Sequence, residues 1–359
     1  MGRPARAVID LNAIRHNYRL AKSLAAHSKA LAIIKANAYG HGAVKVAQSL
    51  AAEVDGFGVA CIEEALELRD SGVKLPILLL EGCFTPDELV IADRESLSLV
   101  VHNQQQLDYL LVAKPKNKFK IFLKVDTGMH RLGFAPSEVK ALWFALQKCA
   151  HIESVTLMTH FARADELDSD YTLQQLQRFK DAVAGLNAPY CLANSPAILG
   201  WPATHYDWVR PGLMLYGASP FNQDNAAAQQ LRPAMCLESA LIGIRQLAAG
   251  EPIGYGGRFR CEQPTTVGVV AIGYADGYPR HAIDGTPIAV NGIRTRVIGR
   301  VSMDMMTIDL TGIDCQLGDR VQLWGEQVLA TEVAQASSTI PYTLFTGVTR
   351  RVPLTYLNE

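Results

Sequence analysis

Between residues 12 and 230, a short apolar run and a stretch with helical spacing of apolar residues follow one another eight times. No other feature of the chain narrows its fold as much. The runs fall at 31–35, 57–60, 76–80, 97–101, 119–125, 153–160, 190–193 and 206–210. They are short and mostly apolar, as expected of parallel strands buried on both faces. Between them, Ile62, Ala65 and Leu66 mark one amphipathic helix. Val139, Leu142 and Leu146 mark a second, and Leu173, Leu176, Phe179 and Val183 a third. Eight such units in about 220 residues suit a closed (β/α)8 barrel better than an open sheet. An open dinucleotide-binding sheet is further disfavoured because no G-x-G-x-x-G follows the first run.

After about residue 232 the pattern changes. Segments 237–247, 265–274, 286–290, 294–300 and 318–325 are β-rich, and Asp284-Gly285 and Asn291-Gly292 have the composition of hairpin turns. The expected architecture is α/β, with an N-terminal TIM-like barrel over 12–231 and a mostly-β domain over 232–359. A helix separates the opening segment 5–11 from the first barrel strand, which leaves that segment available to the β domain as an extra strand.

The bulk numbers exclude several functions. A formal charge of −1 over 359 residues offers no electrostatic case for nucleic acid or an anionic membrane. No apolar run approaches the roughly 20 residues that span a bilayer. The start MGRPARAVID lacks the apolar core of a signal peptide. The seven cysteines are scattered without a CxxC pair, and the nine histidines show no metal-ligand spacing. The expectation is a cytoplasmic protein with reduced thiols and no metal.

In a (β/α)8 barrel the site lies at the carboxyl ends of the strands. Strand one ends on Lys35, where an ammonium is solvated, paired or used as an amine. Strand five leads into Lys124 and Arg131, strand six into His160, strand seven into Asn194 and Ser195, and strand eight into Arg210 and Gly212. Each has an ordinary reading alone: a surface ion pair for the arginines, an interior histidine, a helix N-cap for Ser195. Convergence on one mouth is harder to explain that way. Asn-Ser-Pro and Arg-Pro-Gly follow strands seven and eight, where barrels commonly bind phosphate, and they supply an N-cap hydroxyl and bare backbone. A phosphorylated ligand beside a lysine suggests pyridoxal 5'-phosphate (PLP) held as a Schiff base.

Nine motifs in order then resemble the fold-type III, PLP-dependent alanine racemases. They are AIIKANAYGHG (32–42), KVDTGMHRLG (124–133), THFARADE (159–166), NSPA (194–197), DWVRPGLMLYG (207–217), IGYGGRF (253–259), AIGYADGYPR (271–280), GRVSMDM (299–305) and PYTL (341–344). The style is nearest to the catabolic enzymes of Gram-negative bacteria. The resemblance implies a homodimer that racemises L- and D-alanine with two bases. Lys35 holds PLP and serves one face; Tyr255, from the partner chain, serves the other. Arg210 faces the pyridine nitrogen, His160 links Tyr255 to Arg210, and Arg131 meets the cofactor's phenolic oxygen and the substrate carboxylate. Tyr39, Ser195, Gly212, Leu213 and Tyr342 match the phosphate-binding set, and Asn194 is counted with the cofactor residues. Tyr274 and the backbone N–H of Met303 line the substrate entrance from the partner chain. Lys124 matches a lysine that is often carbamylated.

Three alternatives stand beside this reading. A broad-specificity amino-acid racemase has the same residues. A PLP carrier protein lacks the β domain that carries Tyr255. A fold-type III decarboxylase places an acid where this chain has Arg210.

Overall fold

The first strand of the chain, β1 (Arg6–Asp10), does not enter the barrel. It ends on Asp10, whose carboxylate accepts the Asn12 N–H at 2.8 Å and so caps the helix Leu11–Leu24. The computed structural model describes residues 2–358.

Eight parallel strands follow and close on themselves: β2 (Lys29–Ile33), β3 (Gly56–Val59), β4 (Ile77–Leu79), β5 (Ser98–Val101), β6 (Phe119–Lys124), β7 (Ile152–Met158), β8 (Tyr190–Asn194) and β9 (Trp208–Arg210). The expected barrel is borne out. Small residues in β3 make room inside it; a Cβ on Gly58 would sit 2.6 Å from the Ile33 side chain.

Two of the helix faces read from spacing need correction. Leu68, not Leu66, is the third buried position of helix Ile62–Asp70. Leu173 is exposed on helix Tyr171–Val183, while Thr172 and Gln175 are fully buried. Apolar spacing misplaces that face because two polar side chains take part in it.

The second half is built on β10 (Met235–Leu247). Its first half pairs with β1; a register shift between Leu241 and Gly243 marks the passage to its second half. The shift is a bulge-like irregularity that lets one long strand serve two sheet regions. The remaining strands are β11 (Pro252–Ile253), β12 (Phe259–Arg260), β13 (Thr265–Val270), β14 (Pro287–Val290), β15 (Ile293–Arg296), β16 (Met306–Asp309), β17 (Arg320–Trp324) and β18 (Leu354–Leu357). The main sheet runs β15-β14-β17-β10-β1-β18, with β13 and β16 joined through β10. β1 thus lies between β10 and β18, antiparallel to the first and parallel to the second.

Asn291 and Gly292, at φ of 49° and 85°, form the two-residue hairpin between β14 and β15. Asp284-Gly285 is a turn but joins no strand pair; the Asp284 carboxylate instead accepts the Gly299 N–H at 2.6 Å.

Candidate active site

β2 ends at Ile33, so Lys35 stands two residues beyond the strand, at the carboxyl mouth of the barrel. The chain then turns left-handed: Ala36, Asn37, Ala38 and Tyr39 have φ of 51°, 53°, 52° and 53°. That backbone costs an L-residue about 1–2 kcal/mol, so four in succession require support. Ala38 N–H donates to the Ile34 carbonyl at 2.8 Å, and Gly42 N–H to the Asn37 carbonyl at 3.0 Å. The Glu64 carboxylate accepts the N–H groups of Ala36 and Ala60 at 2.6 and 2.8 Å. Gly40 is obligatory: its φ is 79°, and a Cβ would lie 2.3 Å from the Phe345 carbonyl oxygen.

Arg210, at the end of β9, is buried and almost wholly engaged. Its Nη1 donates to the Cys191 carbonyl at 2.7 Å and to Cys191 Sγ at 3.2 Å. Its Nη2 donates to the carbonyls of Thr159 and Leu192 at 2.8 and 3.0 Å, and to His160 Nδ1 at 3.3 Å. Among the described residues nothing takes the Nε–H. A guanidinium cannot accept, so His160 Nδ1 must be the bare nitrogen and Nε2 carries the ring proton. Asn194 Nδ2 lies 3.5 Å from that Nε2, too far and of the wrong polarity to compete. Burial first, then Arg210 and the other nearby cations, holds the His160 pKa well below its usual value, so the ring is neutral.

The same mouth is strongly cationic. Buried Lys124 is pushed down to about 8, first by desolvation and then by Arg210, Arg131 and Lys35, with Glu81 the carboxylate acting the other way. A shallow cleft beside it is lined by Lys124, Asp126, Met129, Arg131, Thr159 and His160, among others. Four permanent or potential cations so close together require an anion to balance them. Asp126 is engaged with its own loop: its Oδ1 accepts the N–H groups of Gly128 and His130, both at 3.0 Å, and its Oδ2 lies 3.0 Å from His130 Nδ1.

Between β8 and β9 the structure corrects one detail. Asn194 is the N-cap of helix Ser195–Gly200, its side chain accepting from Ala197 N–H at 3.3 Å. Ser195 is freed for other work: its Oγ accepts the N–H groups of Gly212 and Met214 at 2.8 and 3.3 Å. With both lone pairs taken, the hydroxyl hydrogen points away from these donors. The Leu213 N–H opens a 3-10 turn, Leu213–Tyr216, and has no acceptor within it. Tyr39 Oη closes the cradle; a Cβ on Gly212 would come within 3.0 Å of it. Tyr342 tilts against Tyr39 with ring centroids 5.6 Å apart, and burial pushes its phenol up to about 12.

The structure brings together Lys35, Tyr39, Lys124, Arg131, His160, Asn194, Ser195, Arg210, Gly212, Leu213 and Tyr342. It does not bring Tyr255 to them. That side chain sits in the loop between β11 and β12, 68 % exposed. Tyr274 and Met303 form a second group in the β domain. Tyr274 N–H donates to the Ser302 carbonyl and Ala275 N–H to the Met303 carbonyl, both at 3.0 Å. Gly273 permits that contact, since its Cβ would meet the Ser302 carbonyl oxygen at 2.3 Å. Below them buried Asp276 accepts from Arg3 at 2.5 and 2.6 Å and pairs with Arg351 at 3.4 Å.

The sequence and fold match known proteins throughout. The family model for the alanine racemase N-terminal domain matches residues 9–220, and that for the C-terminal domain matches residues 234–356. The chain belongs to the alanine racemase family. It is 53% identical over 355 residues to an alanine racemase of Pseudomonas fluorescens, covering 99% of both chains. It is 54% identical over 358 residues to a catabolic alanine racemase of Pseudomonas putida, covering 99% of this chain and 100% of the other. The crystal structure of a biosynthetic alanine racemase from Pseudomonas aeruginosa superposes with a TM-score of 0.96 at 46% identity, covering 99% and 100%.

For an alanine racemase fold, the sequence reading overlooks several supports of the site. Glu64 holds the Lys35 turn, Cys191 and Thr159 anchor Arg210, and Gln175 donates to the His160 carbonyl and to Thr127 Oγ1, both at 3.2 Å. Glu64 and Gln175 sit on helices where a polar residue reads as solvent-facing. A partner outside their own helix gives them their role, and no local pattern reports it.

Proposed function

We propose that this chain interconverts L- and D-alanine as a cytoplasmic homodimer, with PLP at each barrel mouth and each site completed by the partner chain. The observation that carries this is the cationic mouth with the Lys35 amine, unpaired among the described residues, beside a cradle of outward donors. Ser195 Oγ–H, Leu213 N–H, Tyr39 and Tyr342 would hold a phosphate, with Gly212 allowing close approach. Asn194 shapes that corner as the helix cap. The Arg210 Nε–H would face the ring nitrogen. PLP, when bound, would acidify the Cα–H of an amino acid joined to it.

The chain's own groups then divide the work. Arg131 holds the substrate carboxylate. Lys35 Nζ serves one face of Cα, and Tyr255 Oη of the partner chain the other; one removes a proton while the other delivers one. A phenol is a weak base at its ordinary pKa of about 10. The His160 Nε2–H, backed by Arg210, would donate to Tyr255 Oη and steady its anion. A guanidinium does not give up a proton at neutral pH, so an arginine at this place would withhold from the ring nitrogen the charge that favours decarboxylation and transamination. Lys124, depressed to about 8, has enough free amine to attack CO2; the N–C bond forms and the neutral amine loses one proton, which would leave a carbamate anion beside Arg131. Tyr274 and Met303 would line the entrance of the partner's site. The two units divide at 231/232, with the N-terminal strand counted in the second.

The exposure of Tyr255 supports assembly, since an aromatic base in water has nothing to act on. All seven cysteines are unpaired, as in a reducing compartment, and no helix among the described residues is long and apolar enough to cross a membrane. The test is proton NMR of L-alanine in D2O with PLP-loaded protein, followed by chiral analysis, with serine alongside for breadth. Loss of the α-proton signal with D-alanine formed is the expected result. No exchange would favour a carrier protein, and exchange without D-alanine would mean that Tyr255 is not the second base.

A further inference from the structure

The motif AIIKANAYGHG carries a histidine, His41, that the proposed chemistry does not use. His41 is fully buried, at 0 % exposure. Its Nδ1 lies 2.9 Å from the Tyr39 carbonyl oxygen and 3.1 Å from that of Ala38. Both neighbours accept, so Nδ1 carries the ring proton and donates to the two carbonyls that end the left-handed turn. Among the described residues, nothing partners the buried Nε2. A buried polar atom without a partner is unfavourable. An apolar ring would fill the same space without that loss. The histidine's polar contribution at this position is therefore its Nδ1–H.

The ring also belongs to an aromatic column. It stacks on Tyr216 at 4.4 Å and 30°, and Tyr216 stacks on Tyr39 at 4.8 Å and 30°. Phe345 meets the other side edge-on at 5.1 Å. Tyr216 is itself fixed, its Oη donating to the Ile33 carbonyl at 2.8 Å, the last residue of β2. His41 thus grips Tyr39 twice: by its backbone through the hydrogen bond, and by its ring through Tyr216. The segment between these grips and β2 carries Lys35.

We infer that His41 is a positioning residue whose Nδ1–H locks the left-handed turn and so fixes the aim of Lys35 and Tyr39 at the cofactor site. Burial lowers its pKa to about 4, consistent with a neutral ring that donates through one nitrogen. The inference rests on the PLP reading for its functional consequence but not for its structural one.

Two variants separate the hydrogen bond from the packing. His41→Phe keeps an aromatic ring between Tyr216 and Phe345 and removes the donor. His41→Asn loses the ring but places an amide N–H where Nδ1 was. Hydrogen exchange of residues 34–43 in the PLP-free full chain is the first readout. PLP affinity, measured by titration of the visible band of the Lys35-bound cofactor, is the second, with kcat and KM for alanine as the third. For His41→Phe we expect exchange in that segment at least tenfold faster, PLP affinity at least tenfold weaker, and kcat reduced more than KM is raised. His41→Asn is expected to recover most of the exchange protection and PLP affinity despite its poorer packing. Wild-type protection and affinity in His41→Phe would overturn the inference, as would a His41→Asn variant no better than His41→Phe. Failure of the wild-type chain to bind PLP would instead sink the functional reading, while the exchange comparison would still decide whether His41 locks the turn.

Discussion

The barrel mouth and the outer edge of the β domain are built in opposite ways. At the mouth, Arg210 makes contacts through both Nη atoms, Lys124 is buried among cations, and the Lys35 turn is tied at several points. On the β domain Tyr255 and Met303 are 68 % and 52 % exposed, held by backbone geometry while their side chains face outward. One region is tied together within a single chain; the other leaves its side chains exposed, as the proposed assembly requires. The contrast teaches that preorganisation and incompleteness can coexist in one site. The groups needing desolvation are finished by folding, and in the proposed function the group for the opposite face of the substrate would come with assembly.

The sharpest way to break this contrast is complementation. Lys35→Ala and Tyr255→Phe should each lower kcat by about 10²–10⁴-fold. Mixing the two inactive chains under subunit exchange should restore one working site per hybrid dimer. No recovery would place both bases in one chain.

Stability offers the next contrast. Arg210→Met orphans the buried carbonyls of Thr159, Cys191 and Leu192, each costing about 1–3 kcal/mol. Urea unfolding should therefore show a loss of at least about 3 kcal/mol, whereas Tyr255→Phe should change stability by under about 0.5 kcal/mol. Arg210→Glu should raise the ratio of keto-acid formation to racemisation. Unchanged partitioning would remove the argument about ring protonation.

Acid pH probes the sealed mouth without ligands. His41 titrates at about 4 in the fold and near 6.5 unfolded, so the unfolded chain binds the proton first. Its stabilisation is complete above pH 6.5 and is lost as pH falls from there toward 4. His41→Phe should flatten the stability profile of the PLP-free protein across that window by about 3 kcal/mol. A profile identical to that of wild type would mean that the ring is already accessible to protons.

The smallest expected effect lies at the proposed β-domain entrance. Asp276 ties Arg3 and Arg351 beneath the paired Tyr274 and Met303 segments. Asp276→Asn should loosen that pair and raise KM for alanine by about three- to tenfold with kcat little changed. An equal loss in kcat would mean that the entrance also shapes the reacting geometry.

Much of this is legible in the sequence. Short continuous apolar runs are expected of strands covered on both faces, and their eightfold recurrence makes a barrel the simplest closure. The Asn-Gly hairpin was equally readable, because two positive φ angles demand such residues. Less visible were β16 and β18: each is four residues long, and β18 gains its place from β1, at the other end of the chain. Spacing assigns Leu173 to a buried face because it does not report the hydrogen bonds of Gln175 or the burial of Thr172 that replace it there.

What the sequence determined by itself is the set of chemical groups and the end of the barrel they occupy, since strand order and strand length are local properties. Tertiary structure alone decided how those groups are held. The left-handed run after Lys35 is locally unfavourable, and it exists because Glu64, His41 and the Phe345 segment over-determine it. The neutral state of His160 and the depressed Lys124 likewise arise from charges brought together from distant strands. Electrostatic and packing terms depend on distance in space, and only the folded chain sets those distances.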